Sequence, residues 1–153
     1  MNSRIEPVYE TDRLMMWRGE VIRTVFGVDP TEDLLSANRN YYERHIADGS
    51  HLAVVAEVDG REAGCGAICF TEELPSPDNP SGRCAYLMNI YVRPMFRSGG
   101  IGHEIVSYLV EKAREKRCDK IYLETTDEAR SLYNSIGFKE LPGILKYADI
   151  QHR

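Results

Sequence analysis

The chain has no run of about 18 apolar residues, the length a helix needs to cross a bilayer, so no membrane-spanning helix is expected. It also lacks an excess of basic charge. Lys and Arg number 19 against 24 Asp and Glu, a formal net charge of −5. A nucleic-acid or anionic-lipid surface needs a basic face, so neither partner is expected. Residues 1–9 are polar and lack the apolar stretch of a signal peptide, which makes the cytoplasm the expected location. Cysteine is sparse: Cys65, Cys69, Cys84 and Cys118 include no CxxC pair and no convergent Cys/His spacing, so no metal site is expected. Cys65 and Cys69 fall on one face of a single expected strand, about 13 Å apart at roughly 3.3 Å per residue, beyond the reach of a disulfide. Reduced, buried thiols are the expectation. There is no repeat, low-complexity tract or linker. What remains is an ordinary globular composition, 42% hydrophobic and 28% charged over 153 residues, which predicts one domain over 1–153 with a real core.

Hydrophobic periodicity divides the chain. A weak strand is expected at Ile5–Tyr9. Leu14, Trp17, Val21 and Val25 recur at helical spacing over about Asp12 to Phe26. Asp29-Pro30 reads as an N-cap and first helical position, opening a second helix that Gly49 closes. Strands His51–Val58 and Glu62–Phe70 flank Asp59-Gly60, a hairpin signal. The Pro-, Ser-, Asp- and Gly-rich segment Thr71–Arg83 reads as a loop, and Cys84–Val92 as a strong strand. Ile101, Ile105, Leu109, Val110 and Ala113 mark an amphipathic helix over about Gly100–Lys116. Strand Lys120–Thr125, a short helix Asp127–Ser135 and a final hairpin in Phe138–Ile150 follow. The pattern predicts an α/β fold with a mixed sheet and helices on both faces.

The segment Tyr91 to Gly102 lies between a strand and a helix and holds Gly99, Gly100 and Gly102. Glycine lets backbone approach a ligand, and the first turn of a helix points unpaired N–H groups and the positive end of its dipole at one spot. Such a loop suits a phosphate, and Arg97 adds a charged donor. It is not GxxxxGK[ST], since no lysine follows, and Gly100-Ile101-Gly102 followed by Ile105 is not GxGxxG. The rival reading is a glycine turn that only packs helix on strand.

Arg97-x-x-Gly100-x-Gly102 after a strand ending Val92-Arg93-Pro94 resembles the acetyl-CoA motif of the GNAT superfamily of acyl-CoA-dependent N-acetyltransferases. Ala129-Arg130-Ser131-Leu132-Tyr133-Asn134-Ser135-Ile136-Gly137-Phe138 resembles that family's A-x-x-L-Y-x-x-x-G-F segment. The likeness spans about residues 51–140. It implies a GNAT-like, mostly antiparallel central sheet, and acetyl-CoA as cosubstrate with no metal. It further implies that Arg97, Ser98, Gly99, Gly100, Ile101 and Gly102 hold the pyrophosphate, with the acyl group beside Ile90, Tyr91 and Val92. Tyr133 matches the family's general acid. For the base the sequence offers Glu124, Glu72 or Glu73, or a water relay ordered by Asn89 and Tyr91. Thr126 stands where members often carry a cofactor-contacting asparagine, and Ser98-Gly99 where a basic residue is usual.

In such a fold the acceptor site draws on Trp17, Tyr41, Tyr42, Glu72, Glu73, Asp78 and Tyr147, an aromatic and acidic set that suits a cationic amine. Trp17 and Tyr41 read rather as core-facing helix residues. The acceptor is expected to be an amine of a small molecule or a protein. The alternative is a non-catalytic acyl-CoA-binding module or sensor. A final hairpin would leave a sheet edge open, which makes a homodimer an open option.

Overall fold

A computed structural model describes residues 2–148. Asp59 (φ 50°) and Gly60 (φ 81°) both take positive φ, the requirement of a two-residue hairpin turn, and join β2 (His51–Val58) to β3 (Arg61–Glu72). β1 (Ser3–Pro7) and β4 (Arg83–Val92) flank that hairpin antiparallel, and β5 (Lys120–Leu123) adds to β4 in parallel. The sheet order is β1-β2-β3-β4-β5. Helices α1 (Thr11–Val25) and α2 (Glu32–Ala47) follow β1, α3 (Ile101–Glu115) crosses from β4 to β5, and α4 (Arg130–Ile136) comes last.

Alternation along the strands splits the core into two layers. Val54, Ala56, Val58, Ile68, Ala85 and Leu87 face α3, whose Ile101, Ile105, Leu109 and Ala113 repeat every four residues as one apolar stripe. Ala53, Val55, Cys65 and Tyr91 face the opposite way, against Leu14, Trp17 and Val21 of α1 and Tyr42 of α2. The mixed sheet with helices on both faces is as the sequence predicts. All four thiols are free, and Cys65 and Cys84 are buried.

Two irregularities in β4 position the site. The β3–β4 register breaks between Cys65 and Ala67, so Asn89 and Ile90 form a bulge in which Asn89 takes φ 56°. On the other edge, β4 pairs with β5 only from Cys84 to Leu87. Residues 88–92 therefore run on beyond the end of β5, and a cleft opens between them and the segment after Leu123.

Several expected boundaries move. The N-cap of α2 is Thr31, whose hydroxyl accepts from Leu34 N–H at 3.1 Å, and Asp29-Pro30 lies outside the helix. The loop after β3 is shorter than its composition suggested, because Thr71 and Glu72 pair with Cys84 and Arg83. Strand β5 ends at Leu123, so Glu124 and Thr125 lie beyond it, and α4 starts at Arg130 rather than Asp127. Thr126 Oγ1 instead accepts from Ala129 N–H (3.4 Å) in the turn before α4. The final hairpin is not formed among the described residues: Pro142-Gly143 makes a turn, but residues 139–148 contain no strand. Its end at residues 149–150 lies outside them. The sheet edges are β1 and β5, so the edge argument for a dimer loses its hairpin.

Candidate active site

The glycine loop begins where β4 is pinned. The Arg93 guanidinium donates from Nε and Nη2 to the Glu20 carboxylate (2.9 and 2.8 Å) and from Nη1 to Glu62 O (3.1 Å). It also lies 4.3 Å from the Trp17 ring, whose Nε1 donates to Glu62 Oε1 at 2.7 Å. That pairing holds the Glu20 carboxyl below its usual range. Trp17 is thus a core residue that fixes the end of β4 onto α1.

Beyond it, Arg97 is exposed; its Nε donates to Val92 O at 2.9 Å and its guanidinium sits 5.8 Å from the Tyr91 ring. Ser98 (φ 67°) and Gly100 (φ 83°) turn the chain into α3. Gly100 is the helix N-cap in the left-handed region and no side chain caps the helix. The N–H groups of residues 98–103 find no acceptor among the described residues. A Cβ at Gly102 would lie 3.3 Å from Leu132 Cδ2 and 3.8 Å from Val92 Cγ2, so the helix start sits close against both α4 and β4. An array of free amides at a helix N-terminus, with an arginine beside it, suits a pyrophosphate.

The cleft in β4 carries Ile90, Tyr91 and Val92. Ile90 packs on the α3 side and Tyr91 on the α1 side, its ring 6.4 Å from Trp17 in an edge-on arrangement. Tyr133 joins the α3-side cluster, 8% exposed, with its ring 5.9 Å from Phe138. Burial raises its phenol above the usual value, and its hydroxyl makes no hydrogen bond among the described residues. Leu132, the residue before Tyr133, meets the start of α3 at Gly102, so α4 lies beside the glycine loop.

On the α1 side of β4 lies a cavity of about 280 Å³. Arg18 of α1 and Ala37, Asn38, Tyr41 and Tyr42 of α2 form one wall. His51, Cys69, Met88 and Asn89 of the sheet form the other. Arg18 donates from Nε to Asn38 Oδ1 (3.1 Å) and from Nη1 to Asn89 Oδ1 (2.8 Å). The Tyr41 hydroxyl meets His51 Nδ1 at 2.8 Å and Cys69 Sγ at 3.1 Å. Burial, aided by the positive charge of His45 and Arg18, pushes His51 down to about 4, so its imidazole is neutral near pH 7. Burial pushes Tyr41 up beyond the range of ordinary titration.

Of the residues expected at the acceptor site, Tyr41 and Tyr42 line this cavity and the acidic ones do not. Glu72 and Asp78 are exposed and line no part of the cavity, and Glu73 is paired with Lys120 Nζ at 2.7 Å. Tyr147 is 86% exposed in the tail. Glu124 is exposed and its Oε1 accepts from the Tyr86 hydroxyl at 3.1 Å, outside the cavity wall. Asn89 alone of the expected base or relay residues faces the cavity. His103 is exposed, beside Ser107 Oγ at 3.4 Å. Arg18, Asn38, His51 and Cys69 are cavity residues that no motif marked: they come from four elements and share no spacing.

The model of the Acetyltransferase (GNAT) family matches residues 18–138. Glucosamine 6-phosphate N-acetyltransferase 1 of Oryza sativa subsp. japonica is 33% identical over 107 residues, 68% of this chain and 63% of that protein. Thialysine N-epsilon-acetyltransferase of Sus scrofa is 32% identical over 95 residues, 48% of this chain and 56% of that protein. The matches thus span less than two thirds of these relatives' lengths. Among solved structures, a predicted acetyltransferase with acetyl-CoA from Clostridium acetobutylicum superposes with a TM-score of 0.86, covering 99% of both chains at 23% identity. At that identity the likeness speaks for the fold.

Proposed function

The chain belongs to the GNAT family of acetyltransferases, and from that premise we propose that it moves an acetyl group from acetyl-CoA to a primary amine of a small molecule. The observation that carries this reading is the meeting of two features at Val92. One is the array of free amides at residues 98–103; the other is the stretch of β4 that runs on past β5. These residues suit acetyl-CoA: a helix N-terminus with Arg97 for the pyrophosphate, and an unpaired strand edge for the amide-bearing arm. When bound, the cosubstrate supplies an acetyl thioester.

The chain's own residues do the rest. Ser98 to Gly102 and Arg97 bind and orient, and Thr126, in the turn before α4, adds a contact from the opposite wall. A backbone N–H among Ile90, Tyr91 and Val92 stabilises the developing oxyanion. Tyr133, kept protonated by its burial, donates its proton to the leaving thiolate. The amine approaches in a ternary complex from the cavity side, where Asn89 orders it. Glu124 takes up the amine's proton through water rather than by contact, since Tyr86 holds its carboxylate outside the cavity wall. A small acceptor is favoured by the cavity, which at about 280 Å³ lies just below the usual range of small-molecule sites. Relatives named for glucosamine 6-phosphate and thialysine point the same way.

The test is thiol release from acetyl-CoA across an amine panel, alongside calorimetry of CoA. Amine-dependent release is expected. CoA binding without any amine-dependent release would overturn the catalytic reading in favour of a binding module, and no binding at millimolar CoA would overturn both.

A further inference from the structure

We propose that the acceptor of this site is an amine that also carries an oxyanion, a carboxylate or a phosphate, and that Arg18 receives it. The inference rests on the acetyltransferase reading and names its substrate class. Arg18 is half-buried in the wall of the acceptor cavity, and its two protein hydrogen bonds go to neutral amide oxygens, those of Asn38 and Asn89. It joins no ion pair among the described residues. Neighbouring arginines on the same side of the sheet behave differently. Arg93 is forked onto Glu20, and Arg13 lies within 3.5 Å of both Glu6 and Glu62. No Asp or Glu lines the cavity, so Arg18 contributes its one formal charge near neutral pH.

A guanidinium has five N–H donors in a planar fork. Two are used here, and both serve to aim the group without neutralising it. A cation held away from bulk water by neutral partners keeps its attraction for an anion, and a hydrogen-bonded arginine–oxyanion contact is among the stronger polar contacts available. The guanidinium carbon also lies 5.7 Å from the centroid of the Phe26 ring, within cation–π range. The same positive charge bears on Tyr42, His51 and Cys69 around the cavity: burial raises Tyr42 and Cys69 and Arg18 opposes that rise, while burial lowers His51 and Arg18 adds to that fall. Asn89 links Arg18 to β4 one residue before Ile90, where the thioester is proposed to lie. That adjacency places the anion near the reacting amine, as in an amino acid or a phosphorylated amino alcohol.

The experiment uses matched pairs: β-alanine against β-alaninamide, and phosphoethanolamine against ethanolamine. Each is assayed for turnover with acetyl-CoA and titrated by calorimetry, on the native chain, Arg18→Gln and Arg18→Lys. Thermal unfolding checks that both variants fold. In the native chain the anionic member of at least one pair is expected to have the higher kcat/KM. In Arg18→Gln that preference should fall by about 10- to 100-fold, mainly through KM, the range set by one hydrogen bond to a charged group. Arg18→Lys, which keeps charge but not the fork, should retain part of it. The pair that shows the effect identifies the anion as carboxylate or phosphate. Turnover of the neutral members with equal or greater kcat/KM, or an undiminished preference in Arg18→Gln, overturns the proposal and leaves the acetyltransferase reading intact. Arg18-dependent binding of an anionic amine without turnover of any amine overturns the acetyltransferase reading and with it the acceptor role, leaving Arg18 an oxyanion-binding residue only. Neither binding nor turnover of any anionic member counts against the proposal.

Discussion

Tyr133 combines burial, a hydroxyl with no hydrogen-bond partner among the described residues and a pKa raised by that burial. A raised pKa makes the phenol a weaker acid in the ground state but ensures that it carries its proton throughout the neutral range. If it protonates the leaving thiolate, Tyr133→Phe should lower kcat by about 100-fold or more, the usual range for a positioned acid, with little change in KM for acetyl-CoA. The alkaline fall of kcat should lie above the ordinary tyrosine value near 10 and vanish in the variant. Unchanged kcat in a folded Tyr133→Phe would remove the acid role. Arg97, exposed beside the amide array, has the opposite profile. Arg97→Ala should raise KM for acetyl-CoA by about tenfold, the worth of one charge-assisted hydrogen bond, and leave kcat nearly alone. Steady-state kinetics on the two variants separates binding from chemistry. Both residues stand out in the sequence because each sits in a contiguous motif. Arg18 does not, since its partners Asn38 and Asn89 lie 20 and 71 residues away.

Among the elements, β4 and α3 depend on how closely they are packed. A Cβ at Gly64 would lie 2.6 Å from Tyr91 O and 3.2 Å from Ile105 Cδ1. The first neighbour is backbone and cannot rotate away. Gly64→Ala should therefore cost about 1–3 kcal/mol of stability, typical of overpacking, and also weaken acetyl-CoA binding by displacing the cleft. Thr31→Ala, at the start of α2 and outside the cavity lining, should cost about 1 kcal/mol through the lost α2 cap, a fall in Tm of roughly 2–4 °C, with KM for acetyl-CoA unchanged. Calorimetric melting and CoA titration of both variants test whether stability and binding part company as expected. Periodicity placed the helices and most strands, because a stripe such as Ile101, Ile105, Leu109 and Ala113 is written directly in residue spacing. It misplaced the ends. Thr31 outcompetes Asp29 through one hydrogen bond, and Thr71 and Glu72 become strand through pairing with Arg83 and Cys84, a tertiary event no local pattern contains.

For the whole molecule, the sequence shows the division of labour only on one side of the sheet. The α3 side, with loop and Tyr133, is continuous enough in the chain to be read. The α1–α2 side is assembled from distant residues, and carboxylates that stay outside its cavity, such as Glu72 and Asp78, look no different in sequence from cavity-lining ones. That side holds a neutral histidine, and its burial couples the cavity to global stability. His51 is 5% exposed and its pKa is about 4, against 6.5 when unfolded. Because the folded value is the lower one, the unfolded chain binds the extra proton. Above pH 6.5 neither state is protonated and there is no effect. As pH falls from 6.5 toward 4 the unfolded state is favoured, by at most about 3 kcal/mol. The depressed carboxyls of Glu20, Glu73, Asp48 and Asp119 destabilise only as they take up protons, below about pH 4.5 by their ordinary values. The interval from 6.5 to 4.5 therefore belongs to His51. Denaturant unfolding across that interval should show stability declining with acid in the native chain and a flatter profile in His51→Gln, which has nothing to titrate there. Parallel slopes for the two would mean that the imidazole accepts its proton as readily folded as unfolded, and that the cavity wall is wetter than its packing implies.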